Sequence, residues 1–137
     1  MAQDFEISSE PISVEQFVDI LERSGLAERR PVGDAERMRR MVGEADLMLT
    51  AWDKSDGRLI GVARLLTDWV YIAYLSELAV DRADQGGGVG SALIEEAKRR
   101  VEDGCSLLLV AAPKAAAFYD RIGLARAQDA FLIRRRD

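Results

Sequence analysis

The chain has 137 residues, 48% apolar and 31% charged, with a net charge of -5 and a single cysteine. That length makes one domain over residues 1–137. The acidic balance argues against broad nucleic-acid binding, and no apolar run approaches a membrane span. The complete absence of histidine excludes every Ser-His-Asp triad and removes the commonest metal ligand, so no metal is expected. Met1 to Ile7 lacks the basic and apolar regions of a signal peptide, and with one cysteine this predicts a cytoplasmic protein.

Phe5–Ser8 reads as a short strand. Ser13 is a candidate N-cap with Gln16 at the capping-box position, and Val14, Phe17, Val18 and Leu21 follow at helical spacing until Gly25 stops the helix. Asp34 caps a second helix with Met38, Met41, Val42 and Ala45 on its apolar side. Leu47–Trp52 and Leu59–Leu66 form a hairpin about Asp56-Gly57. Val70–Val80 is a long apolar strand without clean alternation, which predicts burial on both faces near the sheet centre. Val89–Val101 is an amphipathic helix. Ser106–Ala111 is a short strand, Pro113 opens a helix that ends at Gly123, and Ala130–Arg135 supplies a last strand. The order is that of an α/β domain, one mixed sheet between two helical layers.

Between the long strand and its helix lies Asp81-Arg-Ala-Asp-Gln85-Gly86-Gly87-Gly88-Val89-Gly90-Ser91. Glycines let the main chain approach an oxygen-rich ligand, and N–H groups at a helix start attract phosphate. A P-loop needs a Gly-Lys pair, and none occurs. A dinucleotide fingerprint needs Gly-x-Gly-x-x-Gly in an early βαβ unit, whereas Gly86-x-Gly88 runs into Ser91 and Gly88-x-Gly90 into Leu93. A nucleotide-binding protein of another fold is the competing possibility, and preference for ATP or NAD would mark it.

Gln85-Gly-Gly-Gly88-Val-Gly90 following Leu78-Ala79-Val80 resembles the acyl-CoA signature of the GNAT superfamily of N-acetyltransferases. Ala115-Ala-Ala-Phe118-Tyr119-Asp-Arg-Ile-Gly123 is similar to a second segment of that superfamily. Together the likeness spans residues 46–135 and is nearest to compact bacterial members. It implies a three-layer α/β fold with a V-shaped cleft opened by a β-bulge, acetyl-CoA as cofactor, and direct transfer to a primary amine, the acceptor a small molecule. The same fold without turnover would be an acyl-CoA sensor. It implies that the N–H groups of Gly86, Gly87, Gly88, Val89, Gly90 and Ser91 surround the CoA pyrophosphate, with Gln85 opening the motif. The main chain of Leu78, Ala79 and Val80 would bind the pantetheine arm, with Ala115 and Phe118 beside it. Tyr119 would protonate the departing sulfur.

Glu77 is the candidate general base; the other reading is a partly exposed carboxylate paired with an arginine. Asp68 with Trp69, Tyr71 and Tyr74 could hold a cationic amine, although at least two of these read as core. Cys105 reads as a buried structural thiol and Arg134–Arg136 as a solvated end. Ala112 stands where the family often has Asn, and Arg82 and Asp84 where proline and an aromatic are frequent. Exposed strand edges in this fold make a homodimer an expectation.

Overall fold

A computed structural model describes residues 4–136; Met1 to Gln3, part of the stretch read for a leader, lie outside the described residues. Five strands form one sheet in the order β1 (Phe5–Ser8), β2 (Leu47–Asp53), β3 (Leu59–Thr67), β4 (Ile72–Val80), β5 (Ser106–Leu109). The first four run antiparallel to their neighbours, and β5 joins β4 in parallel. Helices α1 (Val14–Ser24) and α2 (Ala35–Gly43) cover one face; α3 (Val89–Arg100) makes the β4–β5 crossover on the other, with α4 (Ala116–Arg121).

The caps behave as the residue types dictate. The Ser13 hydroxyl accepts from the Gln16 N–H at 3.0 Å while the Ser13 N–H donates to Gln16 Oε1 at 2.8 Å. Gly25 ends α1 in the left-handed region, and the Asp34 carboxylate caps α2 at Arg37 N–H. Phe17, Ile20 and Leu21 of α1 are fully buried with Met38 of α2 against Val62 and Ala79. Each such side chain contributes about 1.5–3 kcal/mol. On the opposite face Val89, Leu93, Ile94 and Ala97 of α3 pack on Leu49, Ala63, Ala73 and Leu75.

Two elements depart from the sequence reading. β4 starts at Ile72, not Val70, because one Asp68 carboxylate oxygen accepts the N–H groups of Val70, Tyr71 and Ile72 and closes a turn, with Trp69 at φ 74°. Trp69 and Tyr71 of that turn are exposed rather than core. β4 is not buried evenly on both faces: buried and half-buried residues alternate along it, and a bulge switches its faces. Register runs Leu65 to Leu75 but Arg64 to Glu77, leaving Ser76 as the extra residue. Ala73 and Leu75 therefore pack toward α3, and Ala79 toward α1. Finally, Ala130–Arg135 forms no strand, since the segment meets no sheet edge.

Candidate active site

β4 and β5 pair from Ile72–Ser106 to Leu75–Leu109 and then part. The parting coincides with the Ser76 bulge, which turns β4 away from its neighbour. A cleft of about 70 Å³ opens there, with Leu75, Ser76 and Leu78 on one side and Leu109 and Val110 on the other. Leu26, Arg29 and Arg30 close it toward α1; Ala112, Ala115 and Tyr119 close it toward α4.

The bulge is held by a buried ionic cluster. Glu77 is only 2% exposed. Its Oε2 accepts from Arg30 Nε at 2.5 Å and Ser76 Oγ at 3.0 Å, and its Oε1 accepts from Arg64 Nε. Arg30 also donates to the Ser76 carbonyl at 2.7 Å, and Arg64 to Ser76 Oγ at 3.0 Å and the Met41 carbonyl at 3.2 Å. Glu77 is thus arginine-paired, and fully buried rather than partly exposed. Both of its oxygens are engaged.

The ladder also decides which main-chain groups face the cleft. Asp81 N–H donates to the Ile60 carbonyl at 2.9 Å, so by the antiparallel alternation Ala79 turns its N–H and C=O toward Val62 of β3. Leu78 and Val80 turn theirs toward the open side. Ala79 accordingly differs from the expectation for it: its main chain belongs to the sheet.

At the end of β4 the loop is clamped before the glycines begin. Asp81 accepts from Ala83 N–H, from Arg23 at 2.5 Å and from Arg58 at 3.2 Å; Asp84 accepts from Arg58 at 3.0 Å. Burial pushes the Asp81 carboxyl up, but these donors outweigh it and hold it below the usual range. Arg82 lies against Gly25, where a Cβ would meet its guanidinium at 2.4 Å. Of the two residues that depart from the family pattern, Asp84 ties the loop to Arg58 just before β3, and Arg82 packs against the C-cap of α1. Gln85 Nε2 donates to the Val80 carbonyl at 3.0 Å, so this side chain ties the loop to β4 and takes up that carbonyl.

Gly86 and Gly88 both have φ 88°, and a Cβ on either would meet nothing within 4 Å. Backbone conformation, not crowding, demands glycine there. Gly88 is the N-cap of α3 and has no side chain to offer; the first turn carries no acidic residue. The N–H groups of Val89, Gly90 and Ser91 therefore begin a helix of 12 residues without a side-chain cap, the chemistry a pyrophosphate would meet. Gly87 completes the triplet between the two left-handed glycines.

Tyr119 packs edge-on against Phe118, with centroids 5.1 Å apart and planes at 72°. Its hydroxyl has no hydrogen-bond partner among the described residues, and burial raises its pKa above the ordinary phenol value. Ala115 ends a short 3-10 turn at the cleft wall, where a larger side chain would fill the opening. Cys105 is buried, as expected, with Sγ 3.8 Å from the Ser106 carbonyl. Asp68 is committed to its own turn.

Three features escaped the sequence reading. Arg30 and Arg64 lie 47 and 13 residues from Glu77, and no motif links them. Gly61 allows α3 to seat on β3: a Cβ there would meet Val89 at 2.9 Å and Leu93 at 3.2 Å. In the sequence it is one more residue of the Leu59–Leu66 strand pattern.

A parallel strand pair parted at a bulge, with a glycine-started helix at its mouth, is an arrangement of the acetyltransferase fold. The acetyltransferase (GNAT) domain family matches residues 44–123, more than half of the chain, and the chain belongs to it. Among solved structures it resembles a protein of unknown function from meticillin-resistant Staphylococcus aureus, at TM-score 0.73 and 20% identity, covering 96% of this chain and 100% of that one. A GNAT-family acetyltransferase from Streptococcus pneumoniae TIGR4 superposes at TM-score 0.71 with 19% identity, covering 97% and 98%. An aminoglycoside acetyltransferase from an uncultured soil metagenomic sample gives 0.70 and 17%, covering 97% of each chain. Among curated protein sequences none matches. No helix of the described residues is long and apolar enough to cross a membrane.

Proposed function

We propose that this protein transfers an acetyl group from acetyl-CoA to the neutral nitrogen of a small-molecule primary amine by direct attack. The observation that carries the reading is the continuity between the parted β4–β5 pair and the uncapped start of α3. In this reading the N–H groups of Gly86, Gly87, Gly88, Val89, Gly90 and Ser91 hold the pyrophosphate. The exposed main-chain groups of Leu78 and the Val80 N–H hold the pantetheine amides. Ala115 and Phe118 flank that arm. Acetyl-CoA, when bound, supplies the activated acetyl thioester. Tyr119, protonated across neutral pH, holds its proton at the hydroxyl for the leaving sulfur.

The acceptor must lose a proton before it attacks. Arg29 and Arg30 line the cleft, and no carboxylate does. Arg30 and Arg64 share one carboxylate, Glu77, while Arg29 has no carboxylate partner among the described residues. Positive charge beside an ammonium lowers its pKa and favours the neutral nucleophile. Glu77, with both oxygens engaged, serves in this account as a positioning residue for the bulge rather than as the proton acceptor. The same charge disfavours polycationic acceptors and favours amines that carry an anionic group.

The test is release of free CoA thiol from acetyl-CoA with a panel of amines. The reading predicts turnover with carboxylate-bearing small amines above that with spermidine or kanamycin. Absence of thiol release with every amine would contradict it.

A further inference from the structure

Helices α1 and α2 cover only part of their face of the sheet. They pack on Leu59, Val62 and Ala79, and their cover ends at Arg64, whose Nη1 donates to the Met41 carbonyl near the end of α2 at 3.2 Å. The next side chain of β3 on that face is Leu66, which registers with Tyr74. Tyr74 registers in turn with Leu108; Leu107 and Leu109 pack toward α3, so Leu108 faces the same way as Tyr74. Leu66, Ile72 and Leu108 are exposed and Tyr74 is half-buried. Together they make an apolar shelf across β3, β4 and β5, more than the scatter of single surface residues.

The shelf runs into the cleft. Tyr74 lies two residues before Ser76 and Leu108 two before Val110, and both Ser76 and Val110 line the opening. Arg29 lines it from the α1 side. Arg30 and Arg64 are engaged by Glu77 and by the Ser76 carbonyl and hydroxyl, whereas the Arg29 guanidinium makes no hydrogen bond or ion pair among the described residues. A free guanidinium beside an apolar shelf, at the mouth of a cleft that holds no carboxylate, is complementary to a molecule carrying both a carboxylate and a hydrocarbon group. The cleft itself is only about 70 Å³, so the bulk of an acceptor must lie outside it.

An α-amino acid sends its amine, carboxylate and side chain in three directions from one carbon. Within the acetyl-transfer reading, on which this inference rests, we propose that the acceptor is an α-amino acid with a large apolar side chain. Arg29 binds its carboxylate, and Leu66, Tyr74 and Leu108 carry its side chain. The amine then points into the cleft. Its neutral nitrogen attacks the thioester carbon, and the N–C bond forms as the C–S bond breaks. Tyr119 gives its proton to the sulfur, and the proton lost by the nitrogen returns to Tyr119 through water. Arg29 and the shelf are specificity determinants; they touch the acceptor away from the reacting atoms.

The test measures CoA thiol release by the full chain with phenylalanine, leucine, alanine and phenethylamine. For phenylalanine and leucine kcat/KM should exceed that for alanine by about tenfold or more. Arg29→Gln should lower kcat/KM for phenylalanine about tenfold more than for phenethylamine, which has the ring and no carboxylate, and Arg29→Lys should recover part of the loss. Leu66→Thr/Leu108→Thr should bring phenylalanine down to the level of alanine while acetyl-CoA affinity is unchanged, and Leu66→Thr alone should do so in part. Equal turnover of alanine and phenylalanine, or an Arg29→Gln loss equal for phenylalanine and phenethylamine, would overturn the proposal. So would a shelf variant that keeps its selectivity and changes oligomeric mass instead, the result expected if a second copy covers the shelf. Thiol release with other amines and none with any α-amino acid would overturn it and leave acetyl transfer standing. Absence of release with every amine would fall on the transfer reading. The shelf is then tested by calorimetry of the CoA complex: tighter binding of N-acetylphenylalanine than of N-acetylalanine supports it, and equal binding overturns it.

Discussion

The tip of the Phe118 ring lies 3.1 Å from where a Cβ on Gly90 would sit. The glycine loop and the second motif, far apart in sequence, are therefore in contact, and the first turn of α3 sets how closely α4 approaches. A side chain at position 90 pushes α4 outward. Gly90→Val should destabilise the fold by about 1–3 kcal/mol through overpacking. Phe118→Leu in the same chain should recover part of that loss. Chemical denaturation of the wild type, both single variants and the double variant gives the coupling, and additive effects would deny the contact.

Glu77→Gln leaves two guanidiniums facing one neutral amide in a buried cluster. Breaking a buried pair in this way costs about 3–5 kcal/mol. The positioning role also makes a kinetic prediction: activity falls in Glu77→Gln, and the pH dependence of what remains keeps its acid limb. A profile whose acid limb disappears would return Glu77 to the role of general base.

Tyr119→Phe removes only the hydroxyl, and the ring still packs against Phe118. Turnover should fall about a hundredfold, with acetyl-CoA affinity within twofold. Because burial raises the Tyr119 pKa, any alkaline loss of turnover due to this phenol lies above pH 10.0. An alkaline limb near neutrality that vanishes in Tyr119→Phe would contradict the assignment.

Asp81 gives a stability prediction with a definite sign. Its folded pKa is lowered below the ordinary aspartate value of 3.8, the donors from Ala83, Arg23 and Arg58 outweighing burial. Its contribution is complete above that ordinary value and is lost as pH falls through the lower folded one. Denaturation midpoints taken from about pH 6 down to about pH 3 should fall less steeply in Asp81→Asn than in the wild type. Equal slopes would mean the clamp adds no stability.

How much was legible in the sequence follows from how local each signal is. Ser13 with Gln16, Gly25, Asp34 and Asp56-Gly57 act over three or four residues, and all lie where their chemistry points. The glycine loop was legible because positive φ and an uncapped helix start are backbone demands that residue type alone reports. The Arg30–Glu77–Arg64 cluster was not, because the fold joins it from β3, β4 and the connection between α1 and α2. The Ser76 bulge escaped the residue pattern, since one extra residue reverses faces without changing composition; only the family likeness suggested it. Ala130–Arg135 carries strand composition, but propensity is local, and a strand forms only where the fold offers the segment an edge to pair with, which this one does not meet.

The central claim is that the glycine loop and the parted strands receive acetyl-CoA. Calorimetric titration with acetyl-CoA, with ATP and NAD as controls and Gly88→Asp as the altered protein, tests it most directly. The account predicts micromolar acetyl-CoA binding, little or none for ATP and NAD, and at least a tenfold loss in Gly88→Asp, whose carboxylate would meet the pyrophosphate at a backbone position of φ 88°. No binding, equal binding of ATP, or normal affinity in Gly88→Asp would contradict it.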